Sequence, residues 1–557
     1  MSFNAVTSSF KVTRRRRAPL AETLQVGALA GFAAIGFALI GAYVAMDKRH
    51  VVEDTLTLSQ IAFALMAIAA GYVAGRDRQG RPSGTRVVVH GAVAGLMAGL
   101  CVSALLLLMG SISLRATLVA ASPMLIKALS LGAPIGSLQA LVQLPALGAL
   151  LGVIGGLFAA MPSRYRRALT YGFAAVLIAG LFRDVFVSVL ENLPDLNGPD
   201  WEVFGPGGLN RGAALVLLVA GGLFCLLRDR WNARIDPARR ARSSKAGLVL
   251  LLVGVLVLPL VTNDFVAQVA MLVALYMLMG MGLNIELGLA GLVDLGFVAF
   301  FAVGAYTVAL MCSSGPLAVA DVSFWVALPV AVVLAAGAGM LFGLPVLRVR
   351  GDYLAMATLG LGEIIRVLVL SDALAPYLGG SQGIIEIDHP RIFGISLQSP
   401  AALYYLALAL AGVVAFISWR LQHARIGRAW LAMREDEDVA QALGIDPVAS
   451  KLLAYTIGAA FAGAAGAVFA ALVGSVYPHS FQLLVSINVL AILVIGGLGS
   501  LPGVLVGAIV LIGLPELLRE FGEFRYLFYG IALVAMMHVR AEGLWPATTQ
   551  TKENARA

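Results

Sequence analysis

"GLNIELGLAGLVDLGFVAFFAVGAY", from Gly282 to Tyr306, is apolar enough to lie in a membrane but too polar for an ordinary span. Asn284, Glu286 and Asp294 fall within it, and glycine recurs throughout. An uninterrupted helix in lipid satisfies its own backbone and gains nothing from buried acids. A second stretch, "LVIGGLGSLPGVLVGAIV" from Leu493 to Val510, is interrupted by small residues in the same way. Helices broken at corresponding places in two parts of a chain point to a transport site. Small residues also allow close helix packing, and that reading stands beside the first. Packing alone has no use for Asn284, Glu286 and Asp294 together.

The rest of the chain agrees with a membrane setting. Of 557 residues, 60% are hydrophobic and 13% charged, with a mean hydropathy of +0.90. A soluble domain is nearer half apolar and a quarter charged. Apolar runs of about 20 residues recur, as helical spans require, and the short alternating strands of a β-barrel are absent. The net charge of +8 comes from Lys and Arg gathered in loops between spans, which is topology signalling and not a nucleic-acid footprint. Cys101, Cys225 and Cys312 lie in or beside apolar runs without CxxC spacing. They read as small buried hydrophobes, with no metal site and no disulfide framework.

Hydropathy places spans at 24–46, 60–75, 87–112, 141–161, 168–187 and 212–227. Lys11 and Arg14 to Arg17 precede the first, which is too long for a signal-peptide core and is read as retained. Arginines after the second, fourth and sixth spans, with acids at 191–202, put both ends of this half inside. The basic stretch 228–245 is the domain boundary: a membrane extension of about six spans over 1–245, a transmembrane domain over 246–545, and a tail over 546–557. Its charge also suits anionic lipid. Beyond it, apolar runs lie at 246–262, 265–283, 288–311, 323–347, 353–371, 402–420, 451–475, 484–515 and 525–540. The expected fold is all-α and polytopic, with about 14–16 spans and broken or re-entrant helices in the second half. The stretch 484–515 is compatible with one crossing, two crossings or re-entry.

Between two of these runs lies "GRAWLAMREDEDVAQALGID", Gly427 to Asp446. Every residue from Arg428 to Leu443 is compatible with helix. Gly444 is a natural stop, and Asp446 with Pro447 caps the next span. Ala429, Met433, Ala440 and Leu443 can face the membrane domain, while Arg434, Glu435, Asp436, Glu437 and Asp438 form a charged cluster. A helix docked in a partner's groove uses apolar residues for burial and charge for register; a merely solvated helix is the plain alternative.

The segment is similar to the cytoplasmic coupling helix of ABC importer permeases. More narrowly, residues 265–540 resemble the branched-chain amino-acid permease family, in its M-type subunit. The likeness is carried, in order, by 283–306, "LRVRGDYLAMATLGLGEIIRV" (347–367), "GGSQGI" (379–384), 427–446 and "VLAILVIGGLGSLPGVLVGA" (489–508). It implies a permease subunit of the bacterial inner membrane, with both termini cytoplasmic. Its partners would be separate ATPase subunits, a second related permease and a periplasmic substrate-binding protein. Residues 428–443 would dock on the ATPases through Arg434, Glu435, Asp436, Glu437 and Gly444. The chain itself lacks GxxxxGK[ST], so ATP is used by the partners and no cofactor is expected here.

Pathway-lining candidates are Asn284, Gly288, Gly291, Phe297, Thr358 and Glu363. Glu363 falls about mid-bilayer in its span. Arg366 shares its helical face and can neutralise it; a proton relay is the other role open to it. Uptake of urea or short amides by the same family, or an ion-coupled secondary transporter working alone, are the alternative functions.

Overall fold

The computed structural model describes residues 19–519 and 542–546, apart from stretches of which the longest are 77–85, 112–121, 130–137, 188–202 and 233–252, and isolated positions between 527 and 536. The basic N-terminus, most of the 228–245 linker, the acidic loop and most of the 525–540 run lie outside them. The chain divides into two compact units, Met1–Ala246 and Gly247–Ala557.

It is a polytopic helical membrane protein. Among the described residues nine helices are long and apolar enough to cross a membrane, or ten if one bent pair counts as a span. Large apolar side chains such as Phe32, Leu29, Val333, Leu341 and Phe416 point outward, which suits a lipid solvent and not water. The hydropathy runs at 246–262 and 525–540 lie partly or mostly outside the described residues, and three others differ from a full-length span for local reasons. The 60–75 run is a helix of 17 residues (α3, Leu58–Ala74). The 288–311 run is broken after Leu289 and resumes as helix only at Phe297, and the 168–187 run begins earlier, at Ser163, with Arg164, Arg166 and Arg167 in its first turns.

In the first unit, the 24–46 run is two helices, α1 (Pro19–Leu39) and α2 (Ala42–Asp47). Gly41, at φ +80°, makes the break, a conformation that favours glycine. A short hairpin, β1 (His50–Val52) with β2 (Leu56–Thr57), leads into α3, where Thr57 and Gln60 form a reciprocal capping box. Then come α4 (Arg86–Ser111), α5 (Pro123–Leu129), α6 (Leu138–Ala160), α7 (Ser163–Leu181) and α8 (Arg211–Asn232). Helices α4 and α6 meet backbone to backbone: a Cβ on Gly95 would lie 2.0 Å from Gly148 O, and one on Gly152 2.1 Å from Gly91 O. Glycines four apart on one face permit this approach, the usual means of association where lipid supplies no hydrophobic drive.

The second unit is built round three largely buried helices, at 264–283, 297–312 and 447–473. After a helical stretch at 253–261 comes α9 (Asp264–Leu283), then α10 (Phe297–Cys312), α11 (Phe324–Val346), α12 (Asp352–Leu370) and α13 (Pro400–His423). Two short helices, α14 (Arg425–Glu435) and α15 (Glu437–Ala442), precede the long α16 (Pro447–Val473). Asp446 accepts the N–H groups of Val448 and Ala449 and Pro447 opens α16, as the sequence implies. Helix α10 crosses α16 so closely that a Cβ on Gly304 would sit 2.1 Å from Gly463 O. Phe301, Phe469 and Phe481 close one side of the crossing, their ring centroids 5.3–6.1 Å apart. Last come α17 (Leu483–Gly496), α18 (Leu501–Ala508), a π-helical turn (Ile509–Gly513) and the short α19 (Leu514–Leu517).

Candidate functional site

The two glycine-rich stretches are both broken, and the breaks touch. Helix α9 passes into a π-helical turn, Asn284–Leu289, and the chain then runs without helix to α10. Such turns inside helices gather at functional places. Gly291, at φ +74°, turns the chain out of the helix. In the other stretch, α17 and the helix beginning at Leu501 are bent by 118° across Gly497–Ser500. The stretch 484–515 is therefore a bent pair and not one straight span.

Breaking a helix strands backbone groups, and each needs a partner. Here side chains supply them. Asn284 Oδ1 accepts the Gly499 N–H at 2.9 Å, tying one break to the other. Gln422, near the end of α13, donates from Nε2 to Gly499 O at 3.3 Å. Thr358 Oγ1 accepts the Leu295 N–H at 3.0 Å, Asp294 Oδ1 accepts the Gly296 N–H at 2.7 Å, and Ser486 Oγ accepts the Val298 N–H at 3.0 Å.

The charged segment after α13 joins the same node from outside. Arg434 Nη1 donates to Gly288 O at 2.5 Å, and its aliphatic stem packs where a Cβ on Gly291 would be, 3.1 Å from Cγ. The single helix expected over 428–443 is two helices. The break falls at Asp436 (φ −156°, ψ 112°), whose carboxylate caps α15 by accepting the Val439 N–H. Aspartate favours this cap over a helix interior. The charged cluster is accordingly split. Arg434 points into the membrane unit, Glu437 pairs with the buried Lys451 at 2.7 Å, and Glu435 and Asp436 are exposed. Met433 and Ala440 are buried as expected, but Leu443 is 78% exposed, beside an exposed Val439. Gly444 adopts φ +90° after α15.

Sequence reading missed Trp430. It is fully buried, and its indole Nε1 donates to Ser450 O at 2.9 Å, fastening α14 to the start of α16. Its spacing of three from Met433 was the available signal.

Of the pathway candidates, Asn284 and Gly288 lie in the node and Gly291 is exposed beside it. Phe297 and Thr358 are fully enclosed. Glu363 stands apart. Its ion pair with Arg366 forms, with Arg366 Nε 3.0 Å from Glu363 Oε2. The pair is not buried, however: the side chains are 49% and 28% exposed, because α12 turns this face away from its own unit. Glu363→Gln should leave a lone guanidinium on a spanning surface and lower the yield of folded protein in membranes. Adding Arg366→Gln should restore it; a double variant as depleted as the single one would remove the pairing as the cause.

In "GGSQGI", Gly379, Gly380 and Gly383 all have positive φ, and Ile384 exchanges two backbone hydrogen bonds with Val476. The glycines make a pinned turn.

Comparison with known proteins gives a consistent picture. The model of a family described as branched-chain amino acid transport system / permease component matches residues 265–537. The high-affinity branched-chain amino acid transport system permease protein LivM of Escherichia coli is 42% identical over 327 residues, covering 55% of this chain and 75% of that protein. LivM of Methanocaldococcus jannaschii, described as a probable branched-chain amino acid transport permease protein, is 21% identical over 328 residues, covering 51% and 94%. LivH of Escherichia coli, another permease protein of that system, is 30% identical over 151 residues, covering 27% and 46%. No solved structure matches. The two linked helix breaks thus lie wholly within the matched region, and the chain belongs to the permease family of branched-chain amino acid transport systems.

Proposed function

We propose that this chain is the permease subunit of an ATP-driven importer of branched-chain or related amino acids in a bacterial inner membrane. Both termini are cytoplasmic, and the ATPases are separate subunits that dock on the segment 428–443. A second, related permease completes the membrane part, and a periplasmic binding protein delivers substrate to the opposite face. The names of the LivM and LivH relatives support the substrate class and the second permease.

The observation that carries the reading is the double engagement of the docking segment. Its inner side is fixed to the membrane unit by Trp430 and Arg434. Its outer side leaves Val439 and Leu443 exposed next to Glu435 and Asp436. Apolar groups rimmed by charge suit a protein groove. When ATP draws two ATPases together, α14 and α15 move with them. Arg434 then pulls on the Gly288 carbonyl, and Asn284 passes the displacement to Gly499. Both broken helices shift at once, which opens a route past Asn284, Gly288 and Gly291. Phe297 and Thr358 hold the shape of the break. Apolar walls and the backbone groups at the breaks suffice for a zwitterion in transit.

The test is Val439→Glu combined with Leu443→Glu. Both sites are exposed, so the chain should fold and insert normally. Losing buried apolar contact at an interface centre costs upward of about 1–2 kcal/mol, so ATPase copurification should fall about tenfold or more, and uptake with it. Unchanged copurification and uptake would remove this segment from the docking surface.

A further inference from the structure

Glu286, on the π-helical turn, and Asp294, in the irregular segment after it, are 0% and 1% exposed. Their carboxyl groups lie close enough to act on each other. Asp294 Oδ1 is occupied by the Gly296 N–H. Asp294 Oδ2 and both oxygens of Glu286 have no donor. The Glu286 carboxyl is pressed against α16, where a Cβ on Gly458 would collide with Oε1.

Ionised carboxylates only accept. Two of them face to face, out of water, share nothing and repel. The charged and titratable groups of the surrounding elements do not relieve this. From α14, Arg434 gives its guanidinium to Gly288 O. From α16, Lys451 gives its ammonium to Glu437. Also from α16, Tyr455 lies beside both acids with a buried hydroxyl that has no partner, its ring edge-on to Phe300 of α10. From α12 comes Thr358, which does not titrate; its hydroxyl accepts Leu295 N–H, donates to Ala355 O and also lies beside Asp294. What the cluster lacks is one hydrogen between two carboxyl groups.

We propose that Glu286 and Asp294 form a proton-binding site inside the helix break, with Glu286 carrying one proton and donating it to Asp294 Oδ2. The asymmetry follows from the donors present. Asp294 has a backbone N–H to stabilise its charge and Glu286 has none, so Asp294 is the ionised member. A sodium ion is the competing occupant; among the described residues no third acid, histidine or cysteine joins the pair to hold one, which favours the proton. The site rests on geometry within one chain and is independent of any ATPase partner, so it stands or falls separately from the transport reading.

Infrared spectroscopy of the purified full-length chain in detergent reads a protonated carboxyl directly, as a carbonyl stretch that shifts in D2O. The expected result is a stretch present at neutral pH in the native chain and diminished by one carboxyl in Glu286→Gln. The melting temperature at neutral pH should be unchanged, because the glutamine amide makes the same donation to Oδ2. Asp294→Asn should also lose the stretch, since Glu286 can then ionise against the asparagine amide; it is the second variant should the first not be recovered. Raising the pH should lower the melting temperature of the native chain and not of Glu286→Gln. The folded native chain must then hold two adjacent charges that the unfolded chain gives to water. A native chain without the stretch at neutral pH, or variants that fold and retain it in full, overturns the proposal. So does stabilisation of the native chain, and not of Glu286→Gln, by sodium chloride over choline chloride, which would make the occupant a metal cation.

Discussion

Replacing Arg434 by alanine is expected to cut uptake by about ten- to a hundredfold while ATPase subunits still copurify with the chain. The guanidinium caps a carbonyl that has left its helix, at 2.5 Å, and hydrogen bonds to charged groups contribute about 1.5–3 kcal/mol. At 1.4 kcal/mol per factor of ten, that is the range quoted. The loss should fall on uptake and spare association because Arg434 faces inward, while Val439 and Leu443 remain outside for the partner. ATP hydrolysis should continue but no longer drive uptake. Arg434→Lys should recover part of the activity, since an ammonium can reach the carbonyl but lacks the planar fork. Wild-type uptake in the alanine variant would cut the proposed link between docking segment and helix break.

The largest effect on folding is expected at Gly304. Leucine there would put a side chain where the Gly463 backbone already lies, 2.1 Å from O and 2.6 Å from Cα. Overpacking by flexible side chains costs about 1–3 kcal/mol; a helix backbone cannot step aside, and α10 and α16 would have to part. Gly304→Leu should give aggregated protein on size-exclusion chromatography in detergent. Gly412→Leu is the control, since nothing lies within 4 Å of a Cβ at that position, and it should elute as the native chain does. Equal elution of the two variants would mean that the α10–α16 crossing does not hold the second unit together.

Much of this was legible in the sequence because the membrane simplifies the code. A span must be apolar for its whole length, so hydropathy located α4, α6, α9, α11, α12, α13 and α16 to within a few residues. The breaks were legible as well, since Asn284, Glu286 and Asp294 have no place in an unbroken helix. What touches the breaks was not. Arg434 and Gly288 are 146 residues apart, and Asn284 and Gly499 are 215 apart; no local pattern connects them. The division at Asp436 escaped notice because one aspartate in an acidic run looks like any other, although it alone turns its carboxylate back to cap α15. The Glu363–Arg366 pair followed from its spacing of three. Its exposure did not, because the direction a span faces depends on which helices pack against it.

The joint at Asp436 also bears on how such a protein can be altered. On one side α14 is anchored by Trp430 and Arg434; on the other, α15 is held mainly by Ala440 and by the Glu437–Lys451 pair. The residues Val439, Gln441, Ala442 and Leu443 are exposed and carry little of the load of the fold. On the docking proposed above, they form a replaceable adaptor. Grafting the matching residues of another permease here, with Glu437 and Ala440 retained, would give a hybrid whose spans keep their own cargo path but answer to a different motor. Lineages that duplicate their transporters could change allegiance in the same way, by a handful of surface substitutions and without rebuilding the membrane core.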